Sequence, residues 1–209
     1  MTETRSPATP WLARAAVEAV LIVFAVVLGF IVNEWRADVR ADREARVALS
    51  RVALEMETNI AVLQTVSEYH QDAVGRIDAV IARIDSGEVP PRGVFLDYIG
   101  ETLPRGMQEP QLSRIAWDYA EQRGDMDPLA YELVSELARI YTTQEAGVES
   151  TWRVIAQQFF GQIETVSVAE LRPRLMLMRF AFGELASQEA HLIYLYEAAL
   201  PDVRSAASD

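Results

Sequence analysis

One stretch limits what this chain can become more than any other: Trp11 to Trp35, WLARAAVEAVLIVFAVVLGFIVNEW. From Ala15 to Val32 its only ionisable side chain is Glu18. As a helix rising 1.5 Å per residue it spans roughly 36 Å, enough for a hydrocarbon core of about 30 Å. A tryptophan stands at each end, where amphipathic rings favour the headgroup level. The stretch reads as a single transmembrane helix, with the rest of the chain on one side of the bilayer. A cleaved signal peptide has a shorter apolar region followed by small residues. This run instead ends Phe30-Ile31-Val32-Asn33-Glu34-Trp35. The core helix of a soluble protein fits less well, because the run lies near the N-terminus and is aromatic at both ends.

Removing the anchor from 209 residues leaves roughly 160 to 170, about one domain and enough for a core of its own. Cysteine is absent, which excludes disulfides and thiolate metal sites. All 19 basic residues are arginine, against 31 acidic ones, for a formal charge of -12. A soluble part this acidic argues against nucleic-acid binding, since phosphates are repelled at long range. Arg36, Arg40, Arg43 and Arg46 follow the anchor, whereas only Arg5 and Arg14 precede or open it. That bias favours a cytoplasmic domain.

Residues 1–10 carry two prolines and three threonines and read as a disordered tail. No Gly or Pro interrupts the chain from Asn33 to Val74, so the anchor is expected to run on into a long helix. Leu49, Val52, Met56, Ile60, Leu63, Val66, Val74, Ile77, Ile81 and Ile84 recur at threes and fours, the spacing of a bundle seam. Ser86-Gly87 and Pro90-Pro91 end it. Residues 86–110 form an irregular connection around a short helical segment near Val94–Ile99. Glu109-Pro110 is the expected start of the next helix, with Leu112, Ile115, Ala116 and Tyr119 on its apolar side, Trp117 beside it, and Gly124 as its stop. Asp127-Pro128 opens another. Its apolar positions run from Leu129 through Tyr141 and Val148 to about Ile163. The last helix starts at a Ser167-x-x-Glu170 capping box or at Pro173, and Pro201 ends it. Leu175, Met178, Phe182, Leu185, Leu192 and Tyr196 form one apolar face, with Met176, Phe180 and Tyr194 on a second. A helix apolar on two sides is either central in a bundle or an interface. The expected fold is all-α: transmembrane helix 11–35, then a domain 36–204 forming an antiparallel bundle of about four helices.

Glu18, Gly29 and Asn33-Glu34-Trp35, followed by Glu55, Glu57 and Asn59, resemble the pattern of an uncharacterised family of small bacterial membrane proteins. In that family an N-terminal apolar helix opens with a glutamate, carries a glycine, exits at Asn-x-Trp and continues into a charged helix. Trp117 through Tyr141 is similar to its later tryptophan-containing and leucine-rich helices. The resemblance is best over residues 15–60. It implies a single-pass protein of the bacterial inner membrane with a helical domain, and no reaction.

The candidate functional residues follow from what each position costs. An ionisable Glu18 inside a membrane helix is expensive and normally pairs. Three readings stand: a local pair with Arg14, contact with another membrane helix, or part of an ion path. Gly29 lets a neighbouring helix approach. Trp11, Asn33 and Trp35 mark the membrane boundaries. Arg36, Arg40 and Arg43 share a face just past Trp35 and suit lipid phosphates or an acidic partner. His70 sits in line with Leu63, Ile77 and Ile81, and Glu189 sits inside the apolar face of the last helix. Antiparallel packing with Asp85 level with Arg172 brings His70 level with about residue 187, so His70 and Glu189 form a candidate buried pair. The sequences Glu68-Tyr69-His70 and Glu189-Ala190-His191 have one residue between acid and histidine, not the two of di-iron bundles. No metal, cofactor or catalytic grouping is expected. The expected role is a non-enzymatic, membrane-anchored interaction or scaffold protein that binds lipid and either a second copy or a membrane-protein partner. The alternative is a tethered sensory bundle with a small ligand between its helices.

Overall fold

The computed structural model describes residues 9–88, 95–160 and 168–208. Among these every regular element is helical: α1 (Thr9–Asp85), α2 (Phe95–Thr102), α3 (Ile115–Arg123), α4 (Tyr131–Thr143), a π-helical turn (Gln144–Glu149), α5 (Ser150–Phe160) and α6 (Val168–Ser208). The chain divides into two units, Met1–Glu44 and Ala45–Asp209.

In the first unit α1 begins at Thr9, so Pro10 falls in the first turn, where its missing N–H costs nothing. The remainder of the expected tail, residues 1–8, lies outside the described residues. The 18-residue window with the highest mean hydropathy, 2.8, has none of its surface buried. By length and composition this one helix can cross a membrane.

The second unit is organised around the α1 face carrying Leu49, Val52, Met56, Leu63 and Ile77, each fully buried. The α6 face of Leu175, Phe182, Leu185, Leu192 and Tyr196 is buried as completely. Cross-helix pairs order the two: Asp85–Arg172, Asp78–Arg179, His70–Glu189, Gln64–Glu197 and Glu57–Arg204. Numbers fall along α1 as they rise along α6, so the two segments are antiparallel. Leu137, Ile140, Tyr141, Val148, Trp152 and Ile155 pack into the same core from α4, the π turn and α5.

Four boundaries differ from the sequence expectations. The helix expected at Pro110 starts at Ile115 instead. Asn59 on α1 accepts the Ser113 N–H at 2.8 Å and donates to the Ser113 carbonyl at 2.7 Å, which holds the preceding segment irregular. With that later start α3 turns a different side inward: Trp117 and Ala120 are buried, while Ile115 and Tyr119 are 77% and 50% exposed. The Asp127-Pro128 start moves to Tyr131, because residues 124–129 are used in tight turns after Gly124. Gly124 takes φ 72°, a left-handed cap that glycine enters without steric cost. Pro201 does not end α6, which continues to Ser208. Fully buried Val203 and the Arg204–Glu57 ion pair at 2.7 Å hold the chain helical past it. Pro173 also lies inside α6 rather than at its start. Ile163 and Ser167 lie outside the described residues. Finally, α6 is not enclosed on two sides, since Phe180 and Tyr194 are 61% and 66% exposed.

Candidate functional site

The residues expected to anchor the chain are exposed. Trp11 and Trp35 are 63% and 64% exposed. Arg14, Glu18, Asn33, Arg36, Arg40 and Arg43 are all exposed as well. A side chain built at Gly29 would meet nothing within 4 Å. Among the described residues, Arg14 and Glu18 make no ion pair with each other or with any other group, and Arg36, Arg40 and Arg43 have no carboxylate partner. The local Arg14–Glu18 pair is therefore not formed. Arginine N-terminal to glutamate is the weaker order for an i,i+4 pair, which is consistent with this.

His70 and Glu189 are brought together in the second unit. His70 Nδ1 lies 2.9 Å from Glu189 Oε1 and 3.1 Å from Oε2, and neither side chain has any exposed surface. The imidazole stacks on Trp152 at 5.9 Å and tilts against Phe182 at 5.5 Å and Tyr69 at 5.9 Å. Its Nε2 is buried without a partner. A proton on Nδ1 serves the carboxylate and leaves Nε2 as a bare lone pair, whereas a proton on Nε2 would strand an N–H donor. Burial pushes the Glu189 carboxyl above its ordinary range, opposed by the hydrogen bond from His70. Chemically this closed dyad offers nothing to a solute. Its effect is to fix the register of α1 against α6.

A larger polar cluster lies nearer the N-terminal end of the same α1 face, and sequence reasoning missed it as a site. Glu55, 8% exposed, accepts four hydrogen bonds. They come from Ser113 Oγ (2.6 Å), the Ala116 N–H (2.9 Å), the Trp117 N–H (3.3 Å) and Tyr141 Oη (3.0 Å). Two of these donors are the first-turn amides of α3, so a carboxylate on α1 caps a helix whose own N-cap residue, Arg114, makes no capping bond. Asn59, 1% exposed, also donates to Tyr196 Oη at 3.2 Å. Tyr196 in turn donates to Gln144, whose amide donates to Glu149 at 2.8 Å. The π turn supplies Gln144 and Val148 to the interior together, the local widening that such turns provide. Trp117 stacks on Tyr141 at 5.3 Å with an interplanar angle of 12°. Burial pushes the phenols of Tyr141 and Tyr196 well up, so both remain donors. The available signal was Asn59, which stands between Met56 and Leu63 on the apolar stripe.

No family model, curated protein or solved structure matches the chain. Among the described residues no three His, Cys, Asp or Glu side chains converge as metal ligands. Glu55 and Glu189 are already committed to donors from elsewhere in the fold, and Glu149 accepts from Gln144 of its own turn.

Proposed function

We propose that this chain is a single-pass membrane protein whose helical domain acts as an interaction module, a scaffold or accessory subunit rather than an enzyme. The observation that carries the reading is the α1 window of mean hydropathy 2.8 with none of its surface buried. Eighteen such residues in water would be a liability far larger than the patches monomeric proteins expose. In a bilayer they are a span of the right length. The second unit supports the non-enzymatic part of the reading, because its buried polar groups hold helices to one another. On this reading the domain is an antiparallel bundle. Arg36, Arg40 and Arg43, without a carboxylate partner among the described residues, take lipid phosphates. The resemblance of residues 15–60 to small bacterial membrane proteins belongs to the same proposal, as do an inner-membrane location and a cytoplasmic domain.

The test is fractionation. The full chain should sediment with membranes and stay there through alkaline carbonate, while a chain beginning near Asp38 should appear in the soluble fraction. Release of the intact protein by carbonate refutes the anchor. Purification in mild detergent, with mass spectrometry of what remains bound, then identifies the partner.

A further inference from the structure

We propose that two copies of this chain associate through one face of the α1 membrane segment, with Glu18 of each copy paired to Arg14 of the other. The inference rests on the membrane reading above and names the partner. Glu18 lies seven residues past Trp11, about 10 Å along the helix axis. With Trp11 at headgroup level the carboxylate is well inside the hydrocarbon, where a charged group normally finds a partner. Its own chain supplies none: Glu18 is exposed and makes no ion pair among the described residues, and the same holds for Arg14.

Both charges lie on one side of the helix, within about 40° of each other at 3.6 residues per turn. Ala25 and Gly29, seven and eleven residues past Glu18, stand within about 20° of the Glu18 line. At Gly29 nothing of the chain comes within 4 Å of an added Cβ, so this side is open. The face therefore carries a cation, an anion and two small residues, and is complementary to itself. Copies inserted by the same route lie parallel, with like positions side by side. Helix side chains lean toward the N-terminus. Arg14 leans the same way as Glu18, so Glu18 of one copy and Arg14 of the other stay offset by about 6 Å along the axis, a gap these two long side chains span, and a two-fold axis makes the pair twice. Small residues below it let the backbones approach.

The cysteine-free chain makes the test direct. Single cysteines are placed at Ala25, Gly29 or Val27 in the full chain, which is purified and reconstituted into lipid vesicles. Only carbonate-resistant protein is scored for disulfide-linked dimer, so loss of insertion is read separately from loss of association. Ala25→Cys and Gly29→Cys should crosslink, and Val27→Cys on the opposite side should not. Adding Glu18→Leu to Ala25→Cys should weaken association about three- to twentyfold, the range found for interhelical hydrogen bonds in membranes. Glu18→Arg alone should weaken it further, and Arg14→Glu with Glu18→Arg should restore it. Equal crosslinking at all three positions, or unchanged crosslinking with Glu18→Leu, overturns the proposal. So does crosslinking in native membranes that vanishes in the purified protein, which would assign the face to a different protein. A swapped variant that inserts but does not dimerise overturns the Arg14–Glu18 pairing.

Discussion

Removing one member of the His70–Glu189 pair strands the other, and the size of that penalty tests whether the pair sets the register of α1 and α6. Neither side chain has exposed surface, so neither orphan can turn to water. His70→Leu leaves a fully buried carboxyl group without the imidazole that bonds it, and Glu189→Leu leaves an imidazole whose second nitrogen already lacks a partner. Breaking a buried pair on one side costs about 3–5 kcal/mol, whereas replacing both members with apolar residues is often close to neutral. Each single variant should therefore lose about 3–5 kcal/mol, and the double leucine variant should recover most of the summed loss. Urea unfolding of the full chain in mild detergent gives the energies. Trp152, which stacks on His70, contributes a local signal to the tryptophan fluorescence. Independent sites add to within about 0.3–0.5 kcal/mol. Additivity to that tolerance would show that the 2.9 Å contact carries no coupling, and the register argument would fail.

Three further outcomes follow from the same geometry. Burial holds the Glu189 carboxyl above its ordinary 4.5. Between that value and its folded one, the folded chain binds a proton that the unfolded chain does not, so stability from this group falls as pH rises. Glu189→Gln removes that dependence and should gain on the wild type as pH is raised above about 4.5; urea midpoints that stay parallel with pH would contradict this. Glu55→Ala strands the four donors held by that carboxylate. At about 1–3 kcal/mol for each donor left buried, it should cost at least about 3 kcal/mol and speed amide exchange at Ala116 and Trp117; protected amides there would contradict the capping role. Pro201→Ala restores a helical N–H where the helix already continues. It should raise the thermal midpoint by the equivalent of about 1–3 kcal/mol, and a fall would mean that the proline sets a bend the packing needs.

The sequence alone determined the properties that repeat along one dimension. Eighteen residues with one charge make a helix long and apolar enough to cross a membrane, and apolar residues at threes and fours make a buried stripe, wherever the partner lies. Leu49, Val52, Met56, Leu63 and Ile77 were legible for that reason and are fully buried. The geometry of His70 and Glu189 follows from two such stripes and one assumption of antiparallel register. Choices between neighbouring residues were left to the tertiary structure. Ile60 fits the stripe by hydrophobicity, yet it is half-buried, and Asn59 lies inside at 1% exposure. Asn59 belongs there because Ser113, Gln144 and Tyr196, 54 to 137 residues away, surround its amide. The start of α3 and the inward turn of Trp117 likewise depend on Glu55, which no local signal connects to residue 116. Helix ends and buried polar networks are settled by where unpaired N–H and C=O groups find partners. Those partners arrive from elsewhere in the chain only once the helices have packed.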